Sequence, residues 1–111
     1  MERYTAVTKF VRISPRKARL AAGLIRGLSA EAAELQLKFS KLKGGRLLVK
    51  TLRSAIASAE SQGDHRREKL VVDEVRVDEG PRLKRSKPRS RGNSHPILKR
   101  MSHFTVVVAA S

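Results

Sequence analysis

Apolar positions recur along this chain with a period that changes from segment to segment, and each period predicts an element. The stretch RYTAVTKFV, residues 3–11, is rich in β-branched and aromatic residues and predicts a strand, although its alternation is loose. SPRKARLAAGLIRG, residues 14–27, predicts a helix. Ser14 suits the N-cap, Pro15 the first helical position and Gly27 the stop. At about 100° per residue, Ala18, Ala21, Ala22 and Ile25 share one face, while Arg16, Arg19 and Arg26 gather opposite with Gly23 among them. SAEAAELQLKFS, residues 29–40, predicts a second helix. Ser29 caps it, Glu31 faces the positive end of its dipole, and Leu35 and Phe39 lie on one side.

A third helix is expected from about Lys41 to Ser61. Leu48, Leu52, Ala55, Ile56 and Ala59 form a stripe at helical spacing that reads as the centre of the core. Gly44 and Gly45 weaken its first turns, which puts the firm start near Arg46. A polar loop, QGDHRRE, follows. KLVVDEVRVDEG, residues 69–80, ends in period-two alternation, with Val75 and Val77 on one face and Glu74, Arg76 and Asp78 on the other. SHFTVVVAA, residues 102–110, alternates likewise through Phe104, Val106 and Val108, so both stretches predict half-buried strands.

Between those strands lies GPRLKRSKPRSRGNSHPILKR, residues 80–100, with eight Lys or Arg and no acid. If the flanking strands pair as antiparallel neighbours, this segment is their connection, far longer than the usual 2–5 residues or so of a hairpin loop. It is either an unstructured loop or an extended two-stranded arm. About ten residues a side would reach roughly 30 Å at about 3.3 Å per residue. The turn is expected within Pro88 to Asn93, and Leu83, Ile97 and Leu98 are the aliphatics that pin it. With so little to bury, the segment lacks a core of its own. A nonspecific basic loop or a localisation signal is the plain alternative. The apolar strand that follows directly favours an arm built into the fold.

Composition sharpens this picture. The 111 residues make one domain, or one domain with an extension. With no Trp, one Tyr and three Phe, the core must be mostly Leu, Val, Ile and Ala. The lack of cysteine excludes a disulfide scaffold or a zinc–thiolate site and suits a reducing compartment. The net charge of +15 calls for an anionic partner, with nucleic acid first and membrane headgroups second. That charge comes from both ends. The first 26 residues hold seven bases and one acid, and every acid lies at or before Glu79. The basic face of the first helix then reads as an RNA contact or, more plainly, as a solvated surface.

Other functions find little support. His65, His95 and His103 are far apart in unlike contexts, without ligand spacing, so no metal or cofactor is expected. No nucleophile elbow is present, and KGGR lacks phosphate-loop spacing, so an enzyme is not expected. Four aromatics and no RNP-like strand give little basis for single-strand readout by a free regulator. The 14–27 helix lacks Trp or Phe anchors for a membrane surface. No apolar run nears the roughly 18 residues of a spanning helix, and no signal-peptide h-region opens the chain, which reads as soluble and intracellular.

The segments SPRKARLAAGLIRG, SAIASAE, VRVDEGPRLKR, KPRSRG and ILKRMSHFTVVV, in this order and spacing, resemble the ribosomal protein L-twenty-two family in its bacterial or organellar form. The likeness covers nearly the whole chain. It departs at Asn93, where the family usually has a basic or small polar residue after Gly92, and at Phe104, where an aliphatic usually follows the histidine. It departs also at Ser58, where the family more often has Asn. The fold expected is α+β: three helices packed on a small antiparallel sheet, with a long protruding β-hairpin. Residues 1–111 form one domain, and residues 79–101 are an arm that penetrates RNA.

The resemblance implies a structural constituent of the large ribosomal subunit that aids its assembly. Its globular part lies near the exit of the nascent-peptide tunnel, and its arm lines the tunnel wall. The implied RNA-binding residues are Arg12, Ser14, Arg16, Lys17, Arg19, Arg26, Arg82, Lys84, Arg85, Lys87, Arg89, Arg91, Lys99 and Arg100. The tunnel-lining arm is Leu83, Lys84, Arg85, Lys87, Pro88, Arg89, Ser90, Arg91, Gly92 and Asn93. Partners implied are large-subunit rRNA, neighbouring large-subunit proteins and the nascent polypeptide, with neither a membrane nor self-oligomers. The location implied is the cytoplasmic ribosome, or the plastid stroma for an organellar chain.

Overall fold

The computed structural model describes residues 2–63, 65–81, 83–88 and 94–110, through the backbone alone over 83–88 and 94–99. Strand β1 spans Arg3–Val11. Helices α1 (Pro15–Ile25), α2 (Ala30–Lys38) and α3 (Lys43–Gly63) follow. A short 3-10 turn at Arg67–Lys69 leads to β2 (Leu70–Glu79), β3 (Leu83–Pro88), β4 (Ser94–Lys99) and β5 (Ser102–Ala110). The antiparallel order β1-β5-β2 makes one sheet, and β3-β4 makes a second, two-stranded one. The fold class is therefore the α+β arrangement expected, with three helices on a three-stranded antiparallel sheet.

The helices pack on one face of that sheet. Ile25, Leu37, Leu48, Leu52, Ile56, Leu70, Val72, Val75, Phe104, Val106 and Val108 are its largest fully buried apolar side chains. Each buried aliphatic contributes about 1.5–3 kcal/mol relative to exposure. The predicted α3 stripe is wholly buried. Thr51, buried in the same helix, pairs its hydroxyl with that of Thr8 on β1 at 2.7 Å, which satisfies both groups.

Four details differ from the sequence expectation. Helix α3 starts at Lys43, before the glycines, and Gly44 and Gly45 are buried. A Cβ on Gly44 would lie 3.2 Å from the Ala18 Cα, so this glycine is what lets α1 and α3 approach. Leu35 and Phe39 are exposed, at 58% and 74%, because α2 faces the core with Ala30, Ala33 and Leu37. Strand β5 is buried on both faces, since side chains of β1 and β2 flank it on the helix-free side. The alternation in β2 also changes phase. Leu70 and Val72 bury before a register shift between Val72 and Glu74, and Val75 and Val77 bury after it.

The arm continues the β2–β5 pair. The last domain pair is Glu79 with Ser102, and the Gly80 N–H donates to the Met101 carbonyl at 2.8 Å. The ladder resumes with Leu83 opposite Lys99, one residue out of step, and runs to Pro88 opposite Ser94. Six pairs at about 3.3 Å make roughly 20 Å of ribbon beyond the domain. Pro88 and Pro96 fit because each strand of a two-stranded ribbon is an edge. The radius of gyration is 17.0 Å, against about 13 Å for a compact chain of this length. The expected turn at Arg89, Ser90, Arg91, Gly92 and Asn93 lies outside the described residues, as does Arg82.

Candidate RNA-binding surface

The start of α1 is fastened to the root of the arm. Ile13 is buried, and the buried Ser102 hydroxyl donates to its carbonyl at 2.7 Å. Ser102 opens β5, where the arm returns to the domain. Pro15 then begins the helix and is itself buried. Held this way, Arg12, Arg16 and Lys17 are exposed near the root. Ser14 occupies the expected N-cap, but its side chain makes no capping bond, so its hydroxyl has no role in holding the helix end.

Arg19 and Arg26 have a second occupation. Strand β2 is an edge of its sheet, and its outward carbonyls would otherwise be unpaired. The Arg19 Nε and Nη2 both donate to the Val77 carbonyl, at 3.2 and 3.0 Å, and the Arg26 Nη2 donates to that of Val75 at 2.8 Å. Farther along, the Gly27 N–H donates to the Val72 carbonyl and the Val72 N–H to the Leu28 carbonyl. Helix α1 and the loop after it thus seal the edge of β2. The two arginines that the helical wheel sets aside as a free basic face are therefore partly tied to their own sheet, though both remain solvent-exposed. Arg16 and Lys17 have no such tie among the described residues.

The arm backbone lays Leu83, Lys84, Arg85, Lys87 and Pro88 on the outgoing strand and Lys99 on the return, followed by exposed Arg100. From Gly80 to Ser111 there are eight bases and no acid. The acids cluster elsewhere. Glu34 receives Arg53 at 2.9 Å and Arg67 at 3.3 Å, and Arg67 also reaches Glu60, so these two bases are paired on the side formed by α2, α3 and the 3-10 turn. On the helix-free face of the sheet, Arg3 bridges Asp73 and Glu74. Arg12, Arg16 and Lys17 at the α1 start have no acid partner among the described residues.

Sequence reasoning missed what stands at the root itself. Phe10 has φ 60°, the left-handed region, and sits where the β1–β5 register shifts between Thr8 and Val11. Its N–H donates to the His103 Nδ1 at 3.1 Å, and the rings meet edge-on at 5.1 Å and 89°. A Cβ on Gly80 would lie 3.2 Å from the His103 Cε1, so any larger residue there would crowd this ring. The loose alternation of TKFVR and the lone glycine that ends β2 were the available signals.

Among the described residues no cluster of His, Asp or Glu could hold a metal, and no helix is long and apolar enough to cross a membrane. The chain matches the profile of the family described as "Ribosomal protein L22p/L17e" over residues 6–109. It is 70% identical over 104 residues to the "Large ribosomal subunit protein uL22" of Protochlamydia amoebophila, covering 94% of each chain. The proteins of the same name from Chlamydia pneumoniae and Chlamydia felis are 58% and 56% identical over 105 residues, 95% of each chain. With a profile match that runs from β1 to β5 and relatives more than half identical over nearly their full length, the chain belongs to the Ribosomal protein L22p/L17e family.

Proposed function

We propose that this protein is a structural constituent of the large ribosomal subunit that performs no chemistry. It binds large-subunit rRNA, aids subunit assembly and lines the nascent-peptide exit tunnel with its arm, while the globular part sits near the tunnel exit. The observation that carries this reading is the six-pair ribbon formed by a segment with eight bases and no acid. Such a ribbon has no core and repels itself, so a dense polyanion is the partner that stabilises it. Family membership supports the same reading.

In this reading residues 1–111 form one domain and residues 79–101 are the RNA-penetrating arm. Arg82, Lys84, Arg85, Lys87, Arg89, Arg91, Lys99 and Arg100 contact RNA along it, and Arg12, Ser14, Arg16 and Lys17 contact RNA beside its root. Arg19 and Arg26 join them with the donors that the sheet edge leaves free. Leu83, Lys84, Arg85, Lys87 and Pro88, with Arg89 to Asn93, face the tunnel and the nascent polypeptide. Neighbouring large-subunit proteins are the other partners. The location is the cytoplasmic ribosome, or the plastid stroma for an organellar chain. The contacts go mostly to phosphate and shape, because the deep groove of A-form RNA excludes side chains.

Sucrose-gradient fractionation of a lysate tests the assignment. The protein should co-migrate with the large subunit and stay there in high salt. A peak among free proteins would overturn it. Binding to protein-free large-subunit rRNA should also weaken steeply with salt, since each phosphate neutralised releases about 0.7–0.9 of a counterion. A flat response would contradict a phosphate-led interface.

A further inference from the structure

We infer that Phe10 and His103 form a stacking site for one unpaired nucleobase of the rRNA at the root of the arm. This rests on the rRNA-binding reading and adds a specific residue pair to it. Phe10 is one of four aromatics in the chain, yet 57% of it is exposed, on the helix-free side of the sheet. Its backbone holds φ 60°, which glycine or asparagine adopts freely and a bulky side chain resists. Burial does not account for that strain, since the ring is mostly in solvent. Presentation of the ring does.

The pair is also held in place. The Phe10 N–H bonded to His103 Nδ1 makes that nitrogen the acceptor, so Nε2 carries the proton, and it has no partner among the described residues. The edge-on contact orients the two rings at 89° and leaves ring faces open to a third aromatic system. The bare backbone of Gly80 lies against the imidazole. Exposed Lys9, Arg12 and Arg100 flank the pair in sequence, and the acid Asp78 lies opposite His103 in register. The flanking bases bring the phosphate backbone close. A base splayed from that backbone then stacks on Phe10, and His103 Nε2–H donates to an acceptor on the same nucleotide.

The test uses the full chain and protein-free large-subunit rRNA in filter binding at several salt concentrations. Phe10→Leu keeps apolar volume without a π-face, and Phe10→Asn removes the ring while relaxing the backbone. Each should weaken binding roughly 5- to 150-fold, the range for one stacked base. The slope of log Kd against log salt should stay unchanged, because stacking releases no counterion. Phe10→Tyr should recover most of the loss. The thermal midpoint of Phe10→Asn should equal or exceed that of the parent, which a purely structural role for the ring would not give. Chemical probing should show a nucleotide protected by the parent chain and open with Phe10→Leu. If Leu and Asn bind like the parent while Arg16→Gln/Lys17→Gln binds more weakly with a shallower slope, the stacking site is refuted and the phosphate-led reading survives. If the parent chain shows no salt-dependent binding, both fall.

Discussion

Two glycines in packed helices test the geometry that presents the basic surface, because the same kind of change has opposite effects at each. Gly23 lies in α1 and a Cβ there meets nothing within 4 Å. Gly23→Ala adds helix propensity and no clash, a gain of about 0.5–1 kcal/mol. The unfolding entropy of a chain this size is about 0.23 kcal/mol per kelvin near its midpoint, so the midpoint should rise about 2–4 °C. Gly44 is the opposite case. A Cβ there would sit 3.2 Å from the Ala18 Cα, 3.3 Å from the Ile13 Cδ1 and 3.4 Å from the Ala21 Cβ. Ile13 has some freedom, but the Ala18 backbone yields only if α1 moves away. Gly44→Val adds branching at that contact and should lose about 1–3 kcal/mol, or about 4–13 °C. Thermal unfolding followed by far-ultraviolet circular dichroism measures both. A Gly44→Val midpoint within a degree of the parent would mean that the two helices do not approach as described. The placement of Arg12, Arg16 and Lys17 would then fail too. A fall for Gly23→Ala would show the outer face of α1 to be covered.

Three further outcomes follow from the packing. Ile56→Ala, fully buried in the α3 stripe, should lose about 2–5 kcal/mol, and an unmoved midpoint would place the stripe in solvent. Deleting residues 83–99 should leave the helical circular-dichroism signal intact and sharply reduce incorporation into large subunits, whereas loss of helix would make the arm part of the folding core. Glu2 gives a pH signature. Its carboxyl is held below the ordinary carboxylate range by the Tyr4 hydroxyl first and by His65 second, and the Tyr4 hydroxyl is raised by the same bond to Glu2. The carboxyl therefore contributes stability above its unfolded pKa, and loses it as pH falls through the lowered native value. The tyrosine contributes below its unfolded pKa, and loses it as pH rises through the raised one. Glu2→Gln should flatten both limbs of midpoint against pH, and unchanged limbs would refute the pairing.

Where a residue's partner lies within a few turns of its own helix, the sequence was sufficient. The α3 stripe is local geometry, and the α1 limits follow from Pro15 and Gly27. What was hidden depends on distant neighbours. Leu35 and Phe39 look like a packing side, but α2 needs small residues against α3 and turns Ala30 and Ala33 inward. Period two cannot reveal that β5 is central, which is what buries both its faces. The register shifts in β1 and β2 each insert one residue, and only pairing with β5 exposes them. The edge-sealing work of Arg19 and Arg26 is tertiary as well. The arm was legible as charge without core, but its six-pair register was not.

The irregularities converge on the root, which suggests how a ribbon without a core is aimed. The left-handed Phe10, the Ser102–Ile13 bond and the one-residue slip between the β2–β5 and β3–β4 ladders all lie at the start of β5. Direction then comes from the domain, and in the proposed reading rigidity beyond the root comes from the rRNA partner. Gly80 separates the two. A Cβ there would meet the Met101 carbonyl oxygen at 3.1 Å, its carbon at 3.2 Å and the His103 ring at 3.2 Å. Two of those atoms are backbone, so Gly80→Val must splay the strands where the arm leaves. The core strands end at Glu79 and Ser102, outside the buried cluster that the helices cover, so the folding loss should stay near 1 kcal/mol, the lower end for overpacking. Incorporation of the variant into large subunits, in competition with the parent chain, should fall by much more than its thermal midpoint suggests. Equal incorporation alongside a normal midpoint would mean that the root does not aim the arm.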